Sequence, residues 1–269
     1  MSSAAKTLSL LSYFTAERPE ISLSQFYRLT KRDKATTYRH LQALEGMGFV
    51  EKNSMTKRYR LGPAILQLAQ LRETTVPRKA GVKGPLQQLA NGTGETAHAS
   101  VLSGATLFYL DSIESPRHSV RAIVDLHTLP LHATASGICA LAFGSPSLTD
   151  IAKENMESFT AQTATTEEGL DVEIRQAKKI GFGHIRGGLE DGIYGLAAPV
   201  FDQTGGLAGT VSVASVASRF TPESERVAKR CLMLASHEIS RNWGGTVPRD
   251  IEECWMHDLS LEEELEQAS

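Results

Sequence analysis

Apolar residues recur at helical spacing through the first part of the chain. The stretch from Leu8 to Phe14 predicts a first helix, which ends before an Arg-Pro pair. Ser22 followed by Gln25 is a capping-box pattern and predicts a second, short helix. A tight polar turn comes next, in which Asp33 can cap a third helix. The pattern therefore predicts two helices joined by a turn to a third.

The stretch KATTYRHLQALEGMGFV, which contains the third helix, has two chemically different sides. One side predicts a buried stripe with spacings of 4, 3 and 4, formed by Thr37, Leu41, Leu44 and Gly48. The other side is polar and carries Lys34, Tyr38, Arg39 and Gln42, with Thr36 at its edge. Such side chains reach into a groove and make hydrogen bonds, and Arg and Gln can read base edges in the DNA major groove.

A basic hairpin is predicted after the third helix. The stretch GFVEKNSMTKRYRLG indicates two short extended segments around a turn, flanked by Lys52, Lys57, Arg58 and Arg60. This order of elements is typical of a winged helix-turn-helix domain, in which the wing lies against phosphates. The alternative is a purely structural helical hairpin. The expected contacts to double-stranded DNA are made by Lys34, Thr36, Tyr38, Arg39, Gln42, Lys57, Arg58 and Arg60.

A linker helix is predicted to follow the hairpin. The stretch AILQLAQLRETTV has Ile65, Leu68 and Leu71 on one face and could pack against a partner chain as well as its own domain. The next stretch, VPRKAGVKGP, has the composition of a junction. The expected division is a DNA-binding domain over 1–62, a linker helix over 63–79, a second domain over 80–245 and an acidic tail over 246–269. An extra helix and a partly disordered tail are both open for the last segment.

The second domain alternates extended and helical stretches. AHASVLSG, TLFYLDSIE and HSVRAIVDL predict strands, and TTEEGLDVEIRQAKKIGFG predicts a helix that stops at Gly181. IYGLAAPVFDQTGGLAGTVSVAS predicts a β-hairpin with DQTGG as its turn. A long helix capped by Thr221 closes the domain. The expected fold class is α+β, with an antiparallel sheet flanked by helices.

Charge is distributed unevenly along the chain. Residues 1–76 carry 12 Lys and Arg against 6 Asp and Glu, whereas the remainder carries 16 against 25. A basic first domain on an acidic second one is expected if only the first meets a polyanion. The apolar runs are far shorter than the roughly 20 residues of a membrane span, so no membrane partner is expected. Three cysteines at spacings that match no zinc or redox motif favour a reduced cytoplasm.

Motifs of enzyme chemistry are absent from the sequence. It contains no GxSxG, HExxH, Walker loop or GxGxxG after a strand. His132 could approach a metal with His127 or with Cys139, but satisfied or exposed histidines are the commoner outcome. Neither a catalytic residue, a metal nor a cofactor is therefore expected.

The chain resembles the IclR family of bacterial transcription regulators over about residues 4–245. The marks, in the family's order, are YRHLQALEGMGFV with KRYRLGPAILQLA, then GETAHASVL, PLHATASGICALAF, KKIGFG, GLAAPVFDQTGGLAGTVSVAS and SRFT. The resemblance implies a winged helix-turn-helix domain, a linker helix and a GAF-like effector-binding domain. It also implies a homodimer, often paired into a tetramer, on a palindromic operator.

The resemblance further implies an effector pocket between the PLHATA loop and the AAPVF hairpin. Its positions in this chain are Leu129, Ala135, Ser136, Ile185, Ile193, Gly195, Ser212 and Ala214. Arg121 and Arg186 lie near these positions and could pair with a carboxylate. The chain departs from the family where Ile138 replaces a frequent Lys, Gly195 a frequent Cys and Ala214 a frequent Ser. A compact, rather apolar pocket for a small carboxylic acid or semialdehyde is expected, with an aromatic acid also open.

The combined expectation is a ligand-responsive transcriptional regulator of a catabolic operon, with a repressor favoured over an activator. Two alternatives keep the DNA-binding domain and change the second one. In the first, it is an enzyme of small-molecule metabolism. In the second, it is purely an oligomerisation platform.

Overall fold

The computed structural model of the chain describes residues 2–15, 17–119 and 126–267. The chain divides into two compact units, residues 1–77 and residues 78–269. In the described part of the chain, no helix combines the length and the apolar character needed to cross a bilayer.

The first unit is built from helices and a two-stranded hairpin. In chain order its elements are α1 (Ser3–Leu8), α2 (Leu23–Thr30), α3 (Lys34–Gly46), β1 (Val50–Lys52), β2 (Tyr59–Leu61) and α4 (Pro63–Thr75). The first helix predicted over 8–14 is wrong in its bounds, because α1 ends at Leu8 and a 3₁₀ turn follows over Leu11–Tyr13. The hydroxyls of Ser9 and Ser12 each donate to a backbone carbonyl three residues earlier, over 2.9 Å, and so compete with the helical pattern.

The predicted caps of α2 and α3 are confirmed. Ser22 and Gln25 form a capping box, in which the Gln25 backbone N–H donates to Ser22 Oγ over 3.2 Å. Lys31 then takes the left-handed conformation, with φ of 52°, and ends α2. Asp33 Oδ1 accepts from the backbone N–H of Thr36 over 2.8 Å, and this bond lowers the pKa of Asp33 below its ordinary value.

The apolar side of α3 lies in the core of the first unit. Thr37, Leu41 and Leu44 are buried, as their spacing predicts. Gly48 does not belong to this stripe, because α3 ends at Gly46 and Gly48 has a φ of +73° in the turn before β1. The other buried residues of this core are Leu10, Phe14, Ile21, Phe26, Val50 and Tyr59.

The second unit contains an antiparallel sheet between helices. Its elements are α5 (Arg78–Thr93), β3 (Thr96–Ser103), β4 (Thr106–Ile113), β5 (Thr128–Leu129), α6 (Ala135–Phe143), α7 (Pro146–Lys153), α8 (Glu167–Ile180), β6 (Gly183–Arg186), β7 (Ile193–Phe201), β8 (Leu207–Val216), α9 (Pro222–Asn242) and α10 (Arg249–Gln267). The strand order is β5-β4-β3-β8-β7-β6, which confirms the expected α+β class. The strand predicted from HSVRAIVDL falls largely outside the described residues.

The two faces of this sheet carry different residues. Helices α5 and α9 pack on one face, where Ala97, Leu196 and Val211 join the main core. Helix α6 packs on the other face against β6, β7 and β8, and Ala197 points towards it. Because side chains alternate along a strand, His98 and Ser212, which pair with each other across β3 and β8, share the α6 face.

The stretch VPRKAGVKGP is not an irregular junction, because α5 begins at Arg78 and continues through Pro85. A proline inside a helix leaves the carbonyl four residues earlier without its N–H partner. Here Asn242 Nδ2 donates to the Gly81 carbonyl over 2.8 Å and replaces the lost bond. Val82 is buried against the sheet on the same helix. The compensating contact comes from α9, far away in sequence.

The acidic tail forms the helix α10. Trp255 is fully buried, stacks on Phe182 at 5.4 Å between ring centroids and joins the main core. Of the two possibilities open from the sequence, the described residues of the tail therefore take the helical one.

Candidate functional site

The polar side of α3 is the first candidate site. Burial of Thr37, Leu41 and Leu44 fixes the rotation of the helix, so the opposite side faces outward. Exposed residues on that side are Lys34, Tyr38, Arg39 and Gln42, and Thr36 at the edge is half-buried. Gln42 Nε2 donates to Tyr38 Oη over 3.1 Å, which leaves the amide oxygen of Gln42 and the hydroxyl hydrogen of Tyr38 for a partner.

The hairpin β1–β2 supplies the second cluster of basic groups in this unit. Its turn is held by Asn53, whose Oδ1 accepts from the backbone N–H groups of Met55 and Thr56 over 2.9 and 3.1 Å. Lys57 and Arg58 extend from this turn and are exposed. An antiparallel register with a polar turn thus presents two cations at the tip of the hairpin.

Arg60 differs from the other wing cations. It lies opposite Glu51 in the hairpin, and its Nε is 2.5 Å from Glu51 Oε1. Both side chains are well exposed, so the pair contributes little to stability. The carboxylate nevertheless offsets part of the positive charge that Arg60 presents to a polyanion.

A cavity of about 590 Å³ on the α6 face of the sheet is the second candidate site. Strands β3, β7 and β8 form its floor, and the loop before α6 and the segment after β6 form its sides. All eight pocket positions implied by the family resemblance line it: Leu129, Ala135, Ser136, Ile185, Ile193, Gly195, Ser212 and Ala214. The structure thus brings together residues that lie up to 85 positions apart in the chain.

Arg186, one of the two arginines expected near the pocket, is not brought to it. Arg186 follows Ile185 on β6, and because successive side chains alternate, only Ile185 points into the cavity. The guanidinium of Arg186 lies over the ring of Tyr194, 5.1 Å from its centroid, on the other face. Arg121 lies outside the described residues. Among the described lining residues there is no Lys or Arg.

Several lining residues were not anticipated from the sequence. The polar and aromatic ones are His98, Ser100, Tyr109, Thr128, Thr134, Phe159 and Glu190. Alternation along GETAHASVL could have grouped His98 with Ser100, since they are two residues apart. Nothing in that stretch indicates which face of the strand the cavity occupies.

The first turn of α6 supplies polar groups at one end of the cavity. Thr134 caps this helix, its Oγ1 accepting from the Gly137 backbone N–H over 2.9 Å. The earlier backbone N–H groups, those of Ala135 and Ser136, have no carbonyl partner within the helix. Free N–H groups at a helix N-terminus attract anions.

Burial shifts the pKa of two titratable groups on this side of the sheet. Burial lowers the pKa of His98 to about 4, so its imidazole is neutral near pH 7. Burial raises the pKa of the Cys139 thiol, which lies inside α6. His132 Nε2 is 2.8 Å from the Glu157 carbonyl oxygen. Among the described residues no group of His, Cys, Asp or Glu is arranged to hold a metal ion.

Comparison with known proteins decides the family. Residues 3–54 match the IclR helix-turn-helix domain, and residues 71–241 match the C-terminal domain of bacterial IclR transcriptional regulators. The chain belongs to the IclR family. This confirms the resemblance that the sequence motifs indicate.

Individual relatives agree with this membership over nearly their whole lengths. An IclR transcriptional regulator from Silicibacter sp. TM1040 is 35% identical, with a TM-score of 0.85 over 93% of this chain and 99% of that one. The HTH-type transcriptional regulator KdgR of Escherichia coli (strain K12) is 27% identical over 91% of this chain and 93% of its own. An IclR homologue from Microbacterium hydrocarbonoxydans, complexed with 4-hydroxybenzoate, shares the fold with a TM-score of 0.72 at 20% identity. This IclR-family chain is accordingly a DNA-binding transcriptional regulator and not an enzyme.

Proposed function

We propose that this chain is a repressor that binds a palindromic operator as a homodimer or a dimer of dimers and leaves it when a small organic acid binds the second unit. Regulation of a catabolic operon in the cytoplasm is the expected setting. An activator of the same family is the alternative. The observation that carries the sensing role is the cavity of about 590 Å³ lined by the eight implied pocket positions.

The proposed DNA contacts come from α3 and the hairpin. Arg39 and Gln42 are exposed on α3, the helix whose counterpart in such domains enters the major groove. Lys34, Thr36 and Tyr38 lie on the same side, and Lys57, Arg58 and Arg60 belong to the hairpin. In this assignment α3 reads base edges, while the hairpin contacts phosphates and fixes the register.

The proposed self-association is supported by α4. None of its residues is fully buried, and Leu68 and Leu71, which lie one turn apart on the same face, are each at least half exposed. An apolar stripe of this kind on a solvated helix is stabilised by covering it with a second apolar surface. A second copy of the chain would cover it symmetrically and place two recognition helices on two half-sites.

The cavity is roomier than the compact pocket that the sequence suggested. A volume of about 590 Å³ falls within the range of roughly 300–1,000 Å³ that holds drug-sized ligands. The proposed effector classes therefore extend from short carboxylic acids and semialdehydes to aromatic acids. The first turn of α6, which contains Ser136, is the proposed place for the carboxylate.

Effector binding changes DNA affinity only if the effector prefers one arrangement of the DNA-binding units over another. In this proposal α4 transmits that preference from the second unit to the first. A purely oligomeric role for the second unit would not require a cavity that buries polar groups such as His98 and Ser212.

The experiment is a gel-shift titration against the DNA upstream of the chain's own gene, with and without a panel of organic acids and semialdehydes. Sequence-specific binding that one compound releases supports a ligand-responsive repressor. Binding that one compound strengthens supports the activator. Specific binding that no compound alters contradicts the sensing role and leaves a DNA-binding protein with an oligomerisation domain.

A further inference from the structure

His98 lies in the floor of the cavity. It is the third residue of β3 and stands opposite Ser112 of β4 on one side and Ser212 of β8 on the other. Residues opposite each other in an antiparallel sheet share a face, so the three side chains form a polar row on the α6 face of the sheet, in which His98 and Ser212 line the cavity. Within this row His98 carries the largest polar side chain.

The imidazole of His98 has no hydrogen-bond partner among the residues that the structure describes. Its side chain is buried, with 6% of the residue exposed, and neither Nδ1 nor Nε2 is bonded. Buried polar side chains almost always have a partner, and an exception calls for a specific reason such as a ligand. The terminal torsion of a histidine is soft, so a small ring rotation can present either nitrogen to the cavity.

Two pairs of neighbouring hydroxyl groups are hydrogen-bonded within each pair and not to the ring. Tyr109 Oη donates to Ser112 Oγ over 2.8 Å. Ser100 Oγ and Thr210 Oγ1 share a hydrogen bond of 2.7 Å. Among the described residues that line the cavity, only His98 has buried side-chain polar atoms without a partner.

His98 also lies far from the place proposed for the carboxylate. A Cβ on Gly195 would be 3.9 Å from the backbone nitrogen of Ala135, so Gly195 marks the α6 end of the cavity. From Gly195 to His98 the sheet register runs two strands across and two residues along. With ordinary strand spacings the two Cα atoms are on the order of 12 Å apart.

The chemistry of the ring limits what it can bind. Because burial holds the imidazole neutral, it offers one N–H donor and one acceptor nitrogen and no positive charge. A hydroxyl group matches both, and a carbonyl group matches the donor. A carboxylate gains more at the first turn of α6, where free N–H groups meet the positive end of a helix dipole.

We propose that His98 is the specificity-determining residue of this cavity and hydrogen-bonds a hydroxyl or carbonyl group that the effector carries at the end opposite its carboxylate. This assignment rests on the proposed effector-sensing function. It selects an elongated acid, in which an aromatic ring or an extended short alkyl chain separates the two polar groups. Two- and three-carbon acids cannot reach both ends.

The test is isothermal titration calorimetry of the full-length protein with matched acids. One pair is 4-hydroxybenzoate and 4-methylbenzoate, which have nearly the same shape and differ in the terminal hydroxyl. The second pair is 6-hydroxyhexanoate and heptanoate. The wild-type protein is expected to prefer the hydroxylated member of at least one pair by about tenfold, the effect of one buried hydrogen bond.

Three variants separate a ligand contact from a structural role. His98→Phe keeps the size of the ring and removes both nitrogens, so it is expected to lose the preference. His98→Asn keeps a donor and an acceptor and is expected to retain part of it. His184→Phe is the matched control, because His184 lies in the same sheet opposite Leu196, on the face away from the cavity. That control is expected to bind like the wild type.

A measurement on the wild-type protein covers the case in which His98→Phe does not fold. In a ¹⁵N-histidine spectrum, the preferred acid is expected to shift the His98 imidazole nitrogens and leave those of His184 in place. Equal affinity for both members of each pair, no binding of any of the four acids, or unmoved His98 nitrogens would overturn the assignment. If a short acid such as glyoxylate releases the operator while neither pair binds, the sensing function stands and the role of His98 falls.

Discussion

Gln42 and Tyr38 are joined across one turn of α3 by a hydrogen bond of 3.1 Å from the Gln42 amide nitrogen to the Tyr38 hydroxyl oxygen. Both side chains are exposed, and the bond holds the Gln42 amide in one orientation, while Arg39 lies three residues before Gln42 on the same helix. A pre-ordered amide next to an unrestrained guanidinium is a surface suited to reading adjacent base edges.

Arg39→Ala is expected to remove operator discrimination with little effect on fold or effector affinity. An arginine on a guanine edge accounts for about 1–3 kcal/mol of discrimination. Footprinting and competition against non-specific DNA measure the loss. Arg249→Ala, an exposed arginine of the second unit, is the control. An unchanged footprint in Arg39→Ala would refute the recognition-helix assignment.

The wing cations are expected to differ among themselves. Arg58→Ala should weaken operator and non-specific DNA equally and reduce the slope of log K against log salt by about 1, since one phosphate contact is lost. Arg60→Ala should have a smaller effect because Glu51 already offsets its charge. Binding titrations over a series of salt concentrations compare the two variants, and equal slopes would contradict the distinction.

The combined change Ser136→Ala and Ser212→Ala is expected to abolish the effector response and leave DNA binding unchanged. Both side chains line the cavity, and their loss removes hydroxyl partners for the acid. The gel shift with and without the releasing compound measures this. Ser215→Ala is a matched control on β8, because Ser215 is buried but does not line the cavity. A normal response in the double variant would refute the pocket assignment.

Sequence patterns predicted features that depend on near neighbours along the chain. The buried stripe of α3, the cap at Asp33 and the β7–β8 hairpin with its DQTGG turn all follow from local spacing. Family motifs supplied what spacing could not, namely eight residues of one cavity from five separate elements.

Features that depend on distant contacts could not be predicted. Helix α5 runs through Pro85 because Asn242 bonds the Gly81 carbonyl, a contact over 161 positions in sequence. The family resemblance predicts Arg186 near the pocket as well as Ile185. Adjacent residues of a strand point to opposite faces of the sheet, so only one of the two can point into the cavity. Which face of β6 points into the cavity depends on where α6 packs on the sheet, and no local sequence pattern predicts where α6 packs.

Burial of Trp255 predicts that α10 is an integral part of the second unit. Its indole Nε1 donates to the Gly181 carbonyl over 2.6 Å, at the left-handed turn that ends α8. Trp255→Ala is expected to lower the free energy of unfolding by about 3–5 kcal/mol through the lost packing and the cavity it leaves. Urea denaturation measures the change. Met256→Ala, at an exposed neighbouring residue, should change it little, and similar effects in the two variants would contradict the assignment.

Burial of His98 predicts that the free energy of unfolding decreases when the pH is lowered. Its pKa falls from 6.5 in the unfolded chain to about 4 in the folded protein, so over that window the unfolded state binds the extra proton. The contribution of His98 to the free energy of unfolding is fully present above pH 6.5 and is lost as the pH falls towards 4. Between pH 7.5 and pH 5 the loss is roughly 2 kcal/mol.

Urea unfolding of the wild type and of His98→Phe at these two pH values measures the part of the free energy of unfolding that depends on His98. The other titrating groups are common to both proteins. The variant is expected to lose less stability on acidification than the wild type. An identical pH dependence in wild type and His98→Phe would mean that the His98 ring gains a proton or a partner in the folded protein. In that case the His98 ring would not be an unsatisfied group, and the proposed hydrogen bond to a ligand would lose its support.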